Sequence, residues 1–207
     1  MRGLGGSGFG GSGLGAFWDA LDAVPVAPDA EALYSTDSAD GLLRRENLTR
    51  YLDAVGPGAD TLLVAEAPGW RGMTNTGVPF TSMRELGPQY LVPPAPTAPW
   101  EASSRVVHAA LAEWQGPLPV AWAIFPHHPF VPGDRLTNRT PRPAEVRAGA
   151  PVALALIAAL GVRRVVAVGR KAQGALASAG IDAVAVRHPA QGGARQFTEQ
   201  VLALSRS

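Results

Sequence analysis

The sequence predicts an α/β protein: a three-layer α/β/α sandwich with a central four-stranded, mainly parallel sheet. Three observations carry this. Four short runs read as strands: residues 61–66 (TLLVAE), 119–125 (PVAWAIF), 163–169 (RRVVAVG) and 183–187 (AVAVR). Three of them are near-continuously apolar, as strands covered on both faces must be. Stretches with helical spacing lie between and after them, and strand–helix alternation with right-handed crossovers stacks helices on both faces of one sheet.

Taken in order, residues 1–15 (MRGLGGSGFGGSGLG) are low-complexity and rich in Gly and Ser, so residues 1–16 are expected to be a flexible N-terminus and 17–207 a single domain. No strand precedes these glycines, so they do not read as a phosphate-cradling loop. FWDALDAV (17–24) reads as a short amphipathic helix. In SADGLLRRENLTRYLDAV (38–55), Leu42, Leu43, Leu48, Tyr51, Leu52 and Val55 recur at helical spacing, and Gly56-Pro57-Gly58 ends the run. After the first strand, SSRVVHAALAEWQ (103–115) has helical periodicity. PAEVRAGAPVALALIAALG (143–161) has Pro143 at a helix start and Gly161 at its end, with a break or kink expected at Pro151. RKAQGALASAG follows the third strand and ARQFTEQVLALS the fourth.

Composition narrows the function. With 46% hydrophobic and 17% charged residues, the 207-residue chain is globular, and its length suits one domain. The net charge of +1 announces no polyanion partner in bulk, so any nucleic-acid site must come from local clustering. All but one of the 18 basic residues are arginine, a bias that a GC-rich genome explains and that also suits phosphate geometry. The absence of cysteine excludes disulfides, thiolate zinc sites and cysteine-held iron–sulfur clusters. The adjacent pair His127-His128 is not a usual ligand spacing on a helix, so no metal site is expected. No apolar run reads as long enough to span a bilayer, and the N-terminus lacks a signal-peptide layout. A cytoplasmic monomer with no membrane partner is the expectation.

In sheets of this kind, ligands bind beyond the carboxyl ends of the strands. The segments leaving those ends are EAPGWRGMTNTGVPF (66–80), PHHPFVPGDRLTNRTP (126–141), GRKA (169–172) and HPAQGG (188–193). Three are irregular and polar, and Glu66 places a carboxylate where a core strand should still be buried. The site is expected where these loops converge.

Read together, AEAPG (65–69), TGVPFTS (76–82), WAIFPHHPFVPGDRLTNRTP (122–141), VAVGRKA (166–172) and VRHPAQGGARQF (186–197) resemble, in order, the motifs of the uracil-DNA glycosylase superfamily. The likeness is to bacterial members whose first motif reads Gly-Glu-Ala-Pro-Gly, and it covers roughly residues 40–205. It implies a monofunctional glycosylase that hydrolyses the N-glycosidic bond of uracil or another deaminated base in single-stranded or duplex DNA, with no metal or organic cofactor.

The resemblance also assigns residues. A glycosylase must extrude its target nucleotide into a pocket, and Phe80 is the matching base-stacking position. Gly69, Gly72, Gly77 and Pro79 would let backbone approach the nucleotide. His188 falls on the histidine that donates to the O2 of the departing uracil. Glu66 is the carboxylate that would orient water, since Ala67 occupies the position where other relatives carry an aspartate. His128-Pro129 keeps a His-Pro pair in the base-binding set. For DNA, the candidates are Arg71, Asn138, Arg139, Arg187, Gln191 and Arg195, with Arg139 expected on a phosphate and Gln191 as a small wedge.

Three positions depart from the pattern. Ala65 replaces Gly, Phe130 replaces a second His, and Ala123 replaces the asparagine that reads the uracil edge. A methyl cannot hydrogen-bond to a base edge. Two readings therefore stand: an active glycosylase, or a silent or altered-specificity glycosylase-fold protein that binds nucleic acid. An unrelated nucleotide-binding α/β protein ranks last, because Glu66 would repel phosphate.

Overall fold

A computed structural model describes residues 13–98 and 100–206. Residues 1–12 of the expected flexible N-terminus lie outside the described residues, and the first helix begins at Gly15, two residues before Phe17. The elements run α1 (Gly15–Asp22), β1 (Ala30–Glu31), α2 (Ala39–Val55), β2 (Thr61–Ala65), α3 (Met73–Thr76), α4 (Ala102–Ala112), β3 (Val120–Ala123), β4 (His128–Pro129), α5 (Pro143–Leu160), β5 (Arg164–Val168), α6 (Arg170–Ser178), β6 (Val184–Val186) and α7 (Ala194–Leu204).

The four apolar runs form one sheet in the order β3-β2-β5-β6, and all its neighbours are parallel. Their side chains alternate between two cores, as the period-2 pleat requires. Leu62, Val64, Val120, Trp122 and Ala167 join the core beneath α1, α2, α5 and α6. Leu63, Ala121, Val166, Val168 and Val186 join the core beneath α4 and α7, around the fully buried Phe197. The sandwich therefore has three layers, as the apolar runs foretold.

Ser38 caps α2, its hydroxyl accepting from the Gly41 N–H at 3.1 Å. Helix α5 runs unbroken through Pro151, contrary to the expected break. Pro151 and Arg147, whose carbonyl loses its helical donor there, are both exposed, so water can replace that bond. The expectation that no apolar run could span a bilayer also needs correction. Helix α5 has 18 residues and a mean hydropathy of 1.4, enough by length and composition. Its Val152, Ala153 and Leu156 are nonetheless fully buried against the sheet, so α5 is a core helix here.

Two features had no signal in the hydrophobic pattern. One is the single turn α3. The other is the antiparallel pair of β1 with β4, in which Ala30 faces Pro129 and Glu31 faces His128.

After β3 the chain returns to the other side of β2, so the strand order reverses between β2 and β5. That is the topological switch point of an open parallel sheet, and a crevice must open above it.

Candidate active site

At that switch point the loops after β2, β5 and β6 enclose a cleft of about 470 Å³, with a narrow inner chamber of about 60 Å³ at its floor. The loop after β2 is tied down on both sides. The Phe125 N–H donates to the Glu66 carbonyl at 3.1 Å, which keeps the Glu66 backbone in register with the chain beyond β3. The Trp70 N–H donates to Asn138 Oδ1 at 3.1 Å, linking the first and second sheet-end loops.

The second half of the same loop is fixed by its hydroxyls. Thr76 Oγ1 donates to the Thr81 carbonyl at 2.8 Å, and the Ser82 N–H donates to Ser104 Oγ of α4 at 2.9 Å. Thr81 Oγ1 lies 3.1 Å from His108 Nε2, and Glu85 accepts from both Ser82 and Ser104. These bonds hold Phe80 at φ 51°, a left-handed conformation that a bulky residue adopts only when its surroundings impose it. Phe80 lines the inner chamber.

His188 enters from the other side, directly after β6. Gly169, at φ 91°, makes room for it: a Cβ there would lie 2.9 Å from His188 Cβ. The Ala190 N–H donates to His188 Nδ1 at 3.1 Å. That bond commits Nδ1 as an acceptor, so the neutral ring carries its proton on Nε2. Burial, with Arg187 and Lys171 nearby, lowers the pKa of His188 below its ordinary value and favours this neutral form. Gln191, the second non-glycine residue at positive φ (53°), lies on the cleft rim three residues on.

Glu66 points into the outer cleft with its side chain 22% exposed, and Lys171 Nζ lies 3.7 Å from its Oε2. Burial raises its pKa and Lys171 opposes that rise. Lys171 also donates to Thr140 Oγ1 at 2.7 Å.

The structure brings together most of the expected residues. Glu66, Ala67, Gly69, Asn138, Arg187, His188 and Gln191 line the cleft, and Ala67, Gly69, Phe80, Ala123 and His188 line the chamber. Ala123 is 1% exposed at the end of β3, paired in register with Ala65.

The remaining four are placed differently. His128 does not line the chamber: it is fully buried in β4, its Nε2–H donating to the Thr137 carbonyl at 2.9 Å, and it shapes the 131–137 loop. Arg139 touches the cleft, but its donors are spent on Asp29, Glu145 and two backbone carbonyls, at distances from 2.6 to 3.3 Å. It anchors the second loop to α5 and has no N–H left for a phosphate. Arg71 lies over the Trp70 ring at 4.5 Å, and Arg195 pairs with Glu199 at 3.3 Å on α7; neither lines the cleft.

The sequence reading missed Glu101, Ser103, Arg170 and Lys171, all of which line the cleft. Lys171 carried a signal, as the lone lysine of the chain. Glu101 carried a weaker one: it precedes α4 at the capping position, yet its side chain makes no capping bond. No group of three or more potential metal ligands occurs among the described residues.

Comparison with known proteins agrees with the geometry. The structure of wild-type Pedobacter heparinus SMUG2 superposes with a TM-score of 0.62 at 15% identity, covering 92% of this chain and 99% of that one, which shows a shared fold. No curated protein matches the sequence. The family profile described as "Uracil DNA glycosylase superfamily" matches residues 52–203, most of the chain and every loop of the cleft, so the chain belongs to that superfamily.

Proposed function

We propose that this protein is a monofunctional DNA glycosylase that excises a deaminated base, uracil in the first instance, and leaves an abasic site. The observation that carries the reading is His188: a neutral imidazole, its tautomer set by the Ala190 N–H, at the mouth of a chamber walled by Phe80. In this reading an extruded base stacks on Phe80. The Nε2–H of His188 donates to the base oxygen as the N-glycosidic bond breaks and negative charge moves onto the leaving base. Glu66, beside Lys171, holds the water that attacks the sugar and stabilises its developing positive charge. Arg170, Lys171 and Arg187 form a local basic rim suited to the backbone of a DNA strand, which a net charge near zero would not supply. The protein would act as a cytoplasmic monomer in base excision repair.

A second reading is favoured by one observation. The buried methyl of Ala123 lines the chamber where relatives present a base-reading amide, which fits a protein that binds DNA without excising uracil. The deciding experiment uses labelled oligonucleotides, single-stranded and duplex, carrying one uracil, hypoxanthine or xanthine. Alkali then breaks any abasic site. Cleavage that disappears in Glu66→Gln and His188→Ala supports the glycosylase. Binding without cleavage of any substrate supports the second reading.

A further inference from the structure

The chamber that lacks an amide at position 123 holds another polar group. Glu101 lies in extended backbone just before α4, and its carboxyl makes no capping bond there. It lies instead over the loop after β2. A Cβ at Gly72 would collide with Glu101 Oε2, and one at Gly69 would lie 3.5 Å from Oε1. These glycines therefore clear a seat for the carboxyl. Glu101 lines the chamber together with Ala123, Phe80 and His188.

We propose that Glu101, as a neutral carboxylic acid, reads the edge of the extruded base in place of the missing amide, selecting bases with a lactam edge (a C=O beside an N–H). This deepens, and rests on, the glycosylase reading of the chamber. A neutral carboxyl offers one O–H donor and one C=O acceptor, the same pair that a carboxamide offers, and a lactam supplies their complements. Deamination creates that edge when it replaces an exocyclic amine by an oxygen.

Burial raises the pKa of Glu101, Glu85 reinforces the rise, and Ser103 and Arg71 oppose it. The chamber partner facing it from the loop after β6 is the neutral His188. Burial raises the pKa of Glu66 as well, with Lys171 at 3.7 Å opposing the rise. What distinguishes Glu101 is its place: it lines the chamber beside Phe80 and Ala123, whereas Glu66 lines only the cleft.

The test compares wild type, Glu101→Gln and Glu101→Leu, as full chains, on single-stranded oligonucleotides carrying one uracil or one tetrahydrofuran abasic analogue. Single-turnover excision and binding anisotropy are followed across pH. Glutamine keeps both hydrogen bonds and does not titrate, so Glu101→Gln should excise within a few-fold of wild type. It should also lose the alkaline decline that wild type shows as Glu101 ionises. Glu101→Leu should lose about 10–100-fold for uracil while binding the abasic oligonucleotide normally. Leucine excising as wild type, or glutamine failing as badly as leucine, overturns the proposal. If no protein excises anything, the glycosylase reading fails by itself. A preference for uracil over the abasic analogue that Gln keeps and Leu loses would then still uphold Glu101 as the reader, and equal preference in all three proteins would sink it.

Discussion

His188 offers the sharpest test of the site. Its Nδ1 accepts from the Ala190 N–H at 3.1 Å, so the neutral ring has one donor to give, the Nε2–H, and protonation of Nδ1 would break the bond that aims it. Removing a single donor aimed at a developing oxyanion lowers the rate by about 10²–10³, or roughly 3–4 kcal/mol of transition-state stabilisation. His188→Ala should therefore slow single-turnover excision by that factor while changing oligonucleotide binding only a few-fold, since the bond strengthens as charge develops. The pH profile gives a second readout with a definite sign. Protonation would place a hydrogen on Nδ1, facing the Ala190 N–H, and burial already lowers the pKa. Wild-type excision should thus persist below the ordinary histidine pKa of about 6.5 and fall only as pH drops through the lowered value. The assay is alkaline cleavage of a labelled uracil oligonucleotide at saturating enzyme, from pH 4.5 to 9. An alanine variant within three-fold of wild type, or a wild-type rate that halves near pH 6.5, refutes the reasoning.

Other residues make separate predictions. Glu66→Gln should lower excision by about 10²–10⁴ without weakening DNA binding, because an amide cannot act as base toward the water; single-turnover rates check this. Phe80→Ala should weaken binding of a uracil-containing strand by about 1–3 kcal/mol relative to an abasic one, the usual value of one base–aromatic stack, as anisotropy would read. Arg187→Ala, on the cleft rim, should reduce the slope of log K against log salt by about one, whereas Arg139→Ala should leave that slope unchanged. Arg139→Ala should instead lower the thermal midpoint by about 5 °C, since Asp29 and Glu145 lose the more buried of their two arginine partners. The sign of the pH dependence follows. The Arg142 bond, and with it Arg139, holds the Asp29 carboxyl far below its usual range; burial raises that of Glu145, but Arg139 and Arg142 outweigh it. Their stabilisation is present above the unfolded carboxylate values and is lost as pH falls through the folded ones, so acid titration of the melting temperature should be flatter in Arg139→Ala.

The sheet, the helices on either side and the loops that carry the site were legible in the sequence because they follow from local pattern. Short, β-branched apolar runs such as LLVA and VVAV suit strands covered on both faces, and the polar, glycine-rich segments after such strands leave the sheet at its carboxyl end. Glu66 stood out for the same reason, as a carboxylate at the end of a buried strand, whereas His188 was assigned by the resemblance of its motif. What the sequence could not decide was which polar groups would meet across long separations. Arg139 looked free for a phosphate until the fold brought Asp29, 110 residues away, against its guanidinium. His128 looked like a pocket residue until the pairing of β1 with β4 enclosed it. Glu101 read as one charge before a helix until Gly69 and Gly72 came beneath its carboxyl. The tautomer of His188 depends on the turn through Ala190, and its closeness to β5 on Gly169. Hydrophobic periodicity is written along the chain and sets the layers. The partner of a charge or the proton on a ring depends on distances in space, which exist only once the layers have packed.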